Sequence, residues 1–280
     1  MRTKTNDNAQ PVKKRATNRD VAKMAGVSVA TVSYVVNGRE DQHISEATKK
    51  RVFHAINFLN YVPNPHAVGL NTTQRPSLVV RSSAQASPLA ENEILYFLHA
   101  LDEVRGEQNY SLQYSLNKSA EKISASACIC YDMSDEEFYT LSRENFIPVI
   151  AVDCLINDPV FYQITLDYKK VNSHAERYFG GQDFVYCCIE PRNDGLKNEI
   201  IAAFRQVKFV STSQDIRDCF ELLKNVVVTQ PTLYDIFAGM GMKLFFYRDH
   251  LDERAKITIE CMNKAIDRLN IADEEHYIKV

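Results

Sequence analysis

Apolar residues recur at two different periods along this chain, and the change of period divides it. Between residues 16 and 60 the spacing is helical. Val21, Ala22 and Ala25 share one face of a first short helix. Thr17 is suited to cap its start, with Asp20 three residues on as the reciprocal partner of a capping box. Gly26 supplies the left-handed backbone that ends it. Ser28 opens a second helix whose buried side is Val32, Val35 and Val36, and Gly38 stops it after Asn37. A third helix starts at Ser45, and its Val52, Ala55, Ile56 and Leu59 close a three-helix core.

From residue 76 onward, short apolar runs alternate with amphipathic stretches. Strands are predicted over 77–80, 110–116, 127–131, 148–152, 184–189 and 226–228. Helices are predicted over 91–105, 135–144, 168–179, 196–206 and 253–269, the first with Ile94, Leu95, Leu98 and Leu101 on one face. Repeated strand–helix–strand units imply parallel sheets covered by helices. Four segments follow: a disordered basic arm (1–15), a helical head (16–60), a hinge (61–75) and an α/β body (76–280).

Charge sharpens the division. Residues 1–75 hold twelve Lys and Arg against five Asp and Glu, a net of +7, so the whole-chain charge of -3 leaves -10 on the rest. A basic head gains affinity for phosphate by releasing counterions, and an acidic body stays off it. The seven cysteines have no metal-like spacing and read as buried reduced thiols. No apolar run approaches a membrane span and no signal peptide is evident, so a cytoplasmic location is expected. There is no nucleophile elbow, phosphate loop or metal cluster. An enzyme, a metal and a cofactor are therefore not expected.

Two short helices joined by a Gly-containing turn make a helix-turn-helix, whose second helix enters the major groove N-terminus first. The stretch ATNRDVAKMAGVSVATVSYVVNG (16–38), the following SEATKKRV (45–52) and YVPNPHAVGL (61–70) together resemble the LacI/GalR family of bacterial transcription regulators. The resemblance implies a three-helix head and a hinge helix, followed by a doubly wound, two-lobed body of the periplasmic-binding-protein type. The body is shorter than that of the family. IPVIAVD (147–153), LDYKK (166–170) and RNDGLKNEIIAAF (192–204) fit family segments. After Val228 the usual strand–Asn-Asp–helix has no clear counterpart, so a shortened C-terminal lobe is expected.

By the same resemblance, Val29, Ala30 and Tyr34 stand at the base-reading positions. Val29 and Ala30 are suited to thymine methyls, and Tyr34 cannot fork onto guanine as the more usual arginine does. Thr17, Ser28, Thr31, Ser33 and Asn37 can donate to phosphates, Ser28 serving as cap, contact or both. In the hinge, Asn64 and Ala67 belong to a short helix, and Leu70 matches the family's wedge leucine that kinks the duplex from the minor groove. Arg192, in an R-x-x-G pattern with Gly195, matches an effector-contacting arginine of the family. Asp153 and Asp167 are effector candidates because they sit at strand or crossover ends, where ligands approach, Asp167 reading as a helix cap before a ligand. The expected partners are a pseudo-palindromic double-stranded DNA operator, a second copy of the chain, and a sugar or related small molecule. The expected role is repression of carbohydrate-related genes. The alternative is an effector-blind regulator whose body only dimerises the head.

Overall fold

The computed structural model describes residues 16–36, 42–59, 61, 77–106, 110–115, 123, 125–145, 147–222, 224–248, 250–267 and 276–280. They fall into two compact units, one holding the helices up to residue 61 and the other all elements from residue 77.

The first unit contains α1 (Asn18–Ala25), α2 (Val29–Val36) and α3 (Glu46–Leu59). The local signals act as the sequence reading requires. The Thr17 hydroxyl accepts the Asp20 N–H, and the Asp20 carboxylate accepts the Thr17 N–H at 2.7 Å. Gly26 stands at φ 63°, and its N–H donates to the Ala22 carbonyl. Ser28 Oγ accepts the Thr31 N–H at 3.0 Å, and Ser45 Oγ accepts that of Thr48 at 3.3 Å. Val21, Ala22, Ala25, Val32, Val35, Val52, Ala55, Ile56 and Tyr61 are buried. Val36 and Leu59, expected in this core, are only half-buried, since each sits in its helix's last turn at the edge of the packed face.

The second unit has two all-parallel sheets. The first contains β1 (Ser77–Ser82), β2 (Ser111–Tyr114), β3 (Ala127–Tyr131), β4 (Val149–Val152), β5 (Gln163–Thr165) and β10 (Tyr277–Lys279), in the order β10-β5-β4-β3-β1-β2. The second contains β6 (Val185–Ile189), β7 (Val207–Val210), β8 (Asn225–Val228) and β9 (Lys243–Phe246), in the order β7-β6-β8-β9. Parallel strands require crossovers, supplied here by α4 (Pro88–Arg105), α5 (Asp135–Glu144), α6 (Tyr168–Phe179), α7 (Asp194–Ala203), α8 (Ser213–Leu222), α9 (Pro231–Phe237) and α10 (His250–Asp267). The chain passes from the first sheet to the second through α6 and returns through α10 to end as β10.

Two expectations change. On α4 the buried face is Ala90, Glu93, Ile94, Phe97, Ala100 and Leu101, whereas Leu95 is 49% exposed and Leu98 half-buried. The apolar stripe is centred one residue away from the expected one, because Phe97 rather than Leu98 meets the sheet. After β8 the chain does form a strand–turn–helix, through Thr229-Gln230 into α9. Among the described residues the second sheet has four strands against six in the first, the asymmetry expected of a shortened lobe.

Replacing Thr17 by Ala removes the cap and one half of the box. We expect the α1 amides to lose about 1 kcal/mol of hydrogen-exchange protection. Unchanged protection would show that tertiary packing alone fixes α1.

Candidate functional site

Two surfaces concentrate the chemistry. In the helical unit, the caps leave the N-terminal turn of α2 pointing outward. Ser28, Val29 and Ala30 are exposed, Val29 to 43%, and Thr31, Ser33 and Tyr34 are half-buried. Ala30 and Tyr34 are four apart and share a face, as do Val29 and Ser33. Thr17 lies exposed at the start of α1. The positive end of the α2 dipole is thus flanked by hydroxyls and small apolar side chains, which suits a polyanion whose bases are read by contact. Asn37, Asn64, Ala67 and Leu70 lie outside the described residues.

In the α/β unit, the carboxyl ends of both sets of strands open on one cleft of about 920 Å³, lined by both charge signs. Ligands bind open α/β sheets at these ends. Arg192 and Asp132 meet here: the Arg192 backbone N–H donates to Asp132 Oδ1 at 2.9 Å, and its guanidinium donates to Gln85 Oε1 at 2.7 Å. Burial pushes the Asp132 carboxyl up to about 8. Glu190 is held low by Lys197, at 2.8 Å, and by the Ser211 hydroxyl. Glu137 closes the capping box of α5 and also accepts from Ser83 Oγ and the Ala84 N–H.

The spacing Arg192-x-x-Gly195 has a steric reason. A Cβ on Gly195 would stand 3.1 Å from the Leu155 carbonyl oxygen and 3.2 Å from Asn193 Oδ1, so glycine lets the start of α7 approach that segment without a shift of a few tenths of an ångström. Asn193, fully buried between them, caps α7 through Leu196 N–H, accepts the Leu155 N–H at 3.0 Å and donates to Asp135 at 2.6 Å. One side chain therefore ties the second sheet's helix to two segments of the first.

Behind the cleft lies a second cavity of only about 40 Å³, sharing Ala90, Asp132 and Pro191 with it. Asp153 is here, but already engaged. Its Oδ2 stands 2.5 Å from the Arg254 guanidinium, and both side chains are nearly buried, at 13% and 6% exposure. The guanidinium carbon also lies 5.3 Å and 5.8 Å from the ring centres of Phe97 and Tyr131, which stack on each other. Burial pulls the Arg254 cation down, and Asp153 together with Tyr131, Glu93 and Tyr168 more than offsets this, so it stands above its ordinary range. Burial, then the Arg254 charge, drives His250 down to about 3, so it is neutral. Asp132 and Asp153, ending β3 and β4, both have left-handed backbone, φ 46° and 52°. That conformation is tolerated by aspartate and recurs at ligand sites.

Asp167 lines neither cavity. Its carboxylate caps α6, accepting the Lys169 and Lys170 N–H groups at 3.1 Å. The sequence reading did not single out Asn193, Glu93, His250 or Arg254. Glu93 and Arg254 carried a signal: each sits in register with an apolar helical face, 90/94/97/101 and 255/259/262 respectively.

Glu93 is buried on α4 and accepts the Thr232 N–H of α9 at 3.2 Å, supplying across the two sheets the cap that Gln230 does not make. Burial raises its carboxyl to about 7, against the hydrogen bonds from Thr232. A raised carboxyl stabilises the fold fully below its ordinary pKa and loses that contribution as pH rises through 7. Glu93→Gln should therefore stabilise by on the order of 2 kcal/mol at pH 8 and by little at pH 5. Thermal melts at the two pH values check this. Asp153→Ala leaves Arg254 buried and unpaired, and should cost about 3–5 kcal/mol in chemical denaturation.

Residues 17–64 match the bacterial regulatory proteins of the lacI family. The chain is 33% identical over 156 residues to the HTH-type transcriptional repressor PurR of Mannheimia succiniciproducens, covering 49% of this chain and 43% of that protein. It is 27% identical over 189 residues to the repressor of the same name from Photobacterium profundum, covering 61% and 54%. The chain spans about half the length of the curated relatives it matches. Among solved structures, a transcription regulator like protein from Staphylococcus haemolyticus superposes with a TM-score of 0.50 at 10% identity, over 73% of this chain and 94% of that one, a likeness of fold.

Proposed function

We infer that this chain, a member of the lacI family of bacterial regulatory proteins, is a sequence-specific DNA-binding transcriptional regulator rather than an enzyme. The observation that carries the reading is the outward-facing start of α2, where Val29 and Ala30 are exposed and the caps use only side chains around them. Small apolar residues at the tip of a groove-entering helix read thymine methyls, and hydroxyls at its N-terminus hold phosphates. Thr17, Ser28, Thr31 and Ser33 take the phosphate role in this proposal, with Asn37 beside them, and Val29, Ala30 and Tyr34 the base-reading role. The similar PurR proteins are repressors by name, which favours repression. Carbohydrate-related genes as targets are carried over from the family resemblance.

The protein binds a pseudo-palindromic operator as a homodimer, with a hinge of Asn64, Ala67 and Leu70 in the minor groove. The 920 Å³ cleft, with Arg192 on its wall, takes a polar small molecule such as a sugar. No helix among the described residues is long and apolar enough to cross a membrane; a cytoplasmic place of action is carried over from the family resemblance. A second reading, that the body answers to no diffusible effector, is favoured by one observation. Asp153 is already paired with Arg254, and the cavity beside them has room for little more than a few waters.

The test is a pull-down of genomic DNA fragments by the full chain at moderate salt. Sharp peaks sharing a pseudo-palindrome are expected, and diffuse or absent peaks would overturn sequence-specific recognition. On the operator so found, Leu70→Ala should weaken specific binding by roughly tenfold or more while non-specific binding changes by less than about twofold. Equal loss on both would remove the wedge.

A further inference from the structure

The small cavity is walled by the carboxyl ends of strands from both sheets, the place where an open α/β fold presents groups to a ligand. Its most engaged polar group is nonetheless a side chain of the protein. Arg254 reaches in from α10, a helix 101 residues beyond its partner Asp153, and its guanidinium has the three contacts a bound cation would have. These are a carboxylate at 2.5 Å and two aromatic faces at 5.3 Å and 5.8 Å. Phe97 and Tyr131 are stacked on one another and Asp153 is held at left-handed φ, so the receptor side of this contact is built by three separate elements of the first sheet's layer. The fit is incomplete: Arg254 Nε and Asp153 Oδ1 are buried with no hydrogen-bond partner among the described residues. A guanidinium pairs best with a carboxylate through two parallel bonds, and the tether from α10 permits one.

We propose that this cavity is a guanidinium-recognition site occupied by the protein's own Arg254, a tethered internal ligand that excludes diffusible ones. The proposal goes beyond both readings of the larger cleft: it concerns this small cavity alone and does not rest on DNA binding. The chemical class the site takes is a small planar cation, a guanidinium or amidine, because Asp153 supplies the charge and the rings supply the faces. A spherical ammonium lacks the paired planar donors, and a neutral urea lacks the charge.

The experiment uses the full chain with Arg254→Ala and methylguanidinium chloride at about 10 mM, a concentration far below that at which guanidinium compounds denature. The variant is expected to melt below the wild type. Methylguanidinium should then raise its Tm saturably by several degrees, as a ligand that binds only the folded state does. Methylammonium, urea and sodium chloride at equal concentration should not. Wild type should show no saturable rise with any of these, and Arg254→Ala combined with Asp153→Ala should lose the rescue. No saturable rise in Arg254→Ala, or an equal rise in wild type, overturns the proposal.

Should Arg254→Ala be too unstable to purify, Arg254→Gln and Asp153→Asn form a double-mutant cycle in denaturant. Coupling between the two sites is then expected, and additive losses would overturn the proposal. The genomic pull-down reads the head and is scored separately. A failed rescue with sharp operator peaks removes only the internal ligand, and diffuse peaks with a successful rescue remove only the operator reading.

Discussion

Two parallel sheets end at one cleft where this chain buries three acidic side chains, and the buried guanidinium of Arg254 makes that placement tenable. Asp132, Asp153 and Glu93 all line the same 40 Å³ space. Three carboxylates desolvated together would repel one another, and each must be neutralised by a partner or by a proton. Asp153 has the cation at 2.5 Å. Glu93 has hydrogen bonds from Thr232 and Asp132 the Arg192 backbone N–H, but neither has a cation in contact among the described residues, and burial pushes both up, to about 7 and about 8. One charge pair and two proton-holding acids form a consistent set in which each member's state depends on the others.

Polar side chains join the two sheets alongside the apolar core that runs continuously between them. Glu93 and Asn92 of α4 both reach Thr232 of α9, and Tyr96 donates to Asp235 at 2.6 Å. Asn193 does the equivalent work on the other side, through Leu155 and Asp135. Between these polar stitches, Tyr168 meets Tyr186 edge to face, and Leu166 and Leu196 fill the remaining space. The arrangement is directional. Hydrogen bonds set the angle of one sheet to the other, and the aromatic contact supplies the apolar area.

Legibility from sequence followed the range of the interactions. The head was readable because each of its determinants lies within three residues of its partner: Thr17 with Asp20, Ser28 with Thr31, Ser45 with Thr48. Helices α5 and α6 and strand β3 were readable to the residue, since a side-chain N-cap or a five-residue apolar run bounds them. The strands that were not predicted, β5, β7, β9 and β10, are three or four residues long, and β7, β9 and β10 lie at sheet edges, where one face is open and the apolar alternation fades. Helix α8 was missed although Thr212 and Asp215 form the same three-residue box that marks α1. That signal stood in the chain and went unused.

The contents of the cleft were less legible for a physical reason that also bears on function. Asp153 and Arg192 could be placed at strand ends from their own neighbourhoods. What occupies Asp153 comes from α10, and no window around residue 153 contains it. The only local trace is a charged residue in the apolar register of an amphipathic helix, a position that costs free energy unless a partner is waiting. A chain that keeps an arginine there must have the carboxylate already desolvated opposite it, and Glu93 in the apolar register of α4 obeys the same rule with Thr232 as its partner. A charge out of place in a helical face thus identifies the interior of this site, whereas motifs identify its rim.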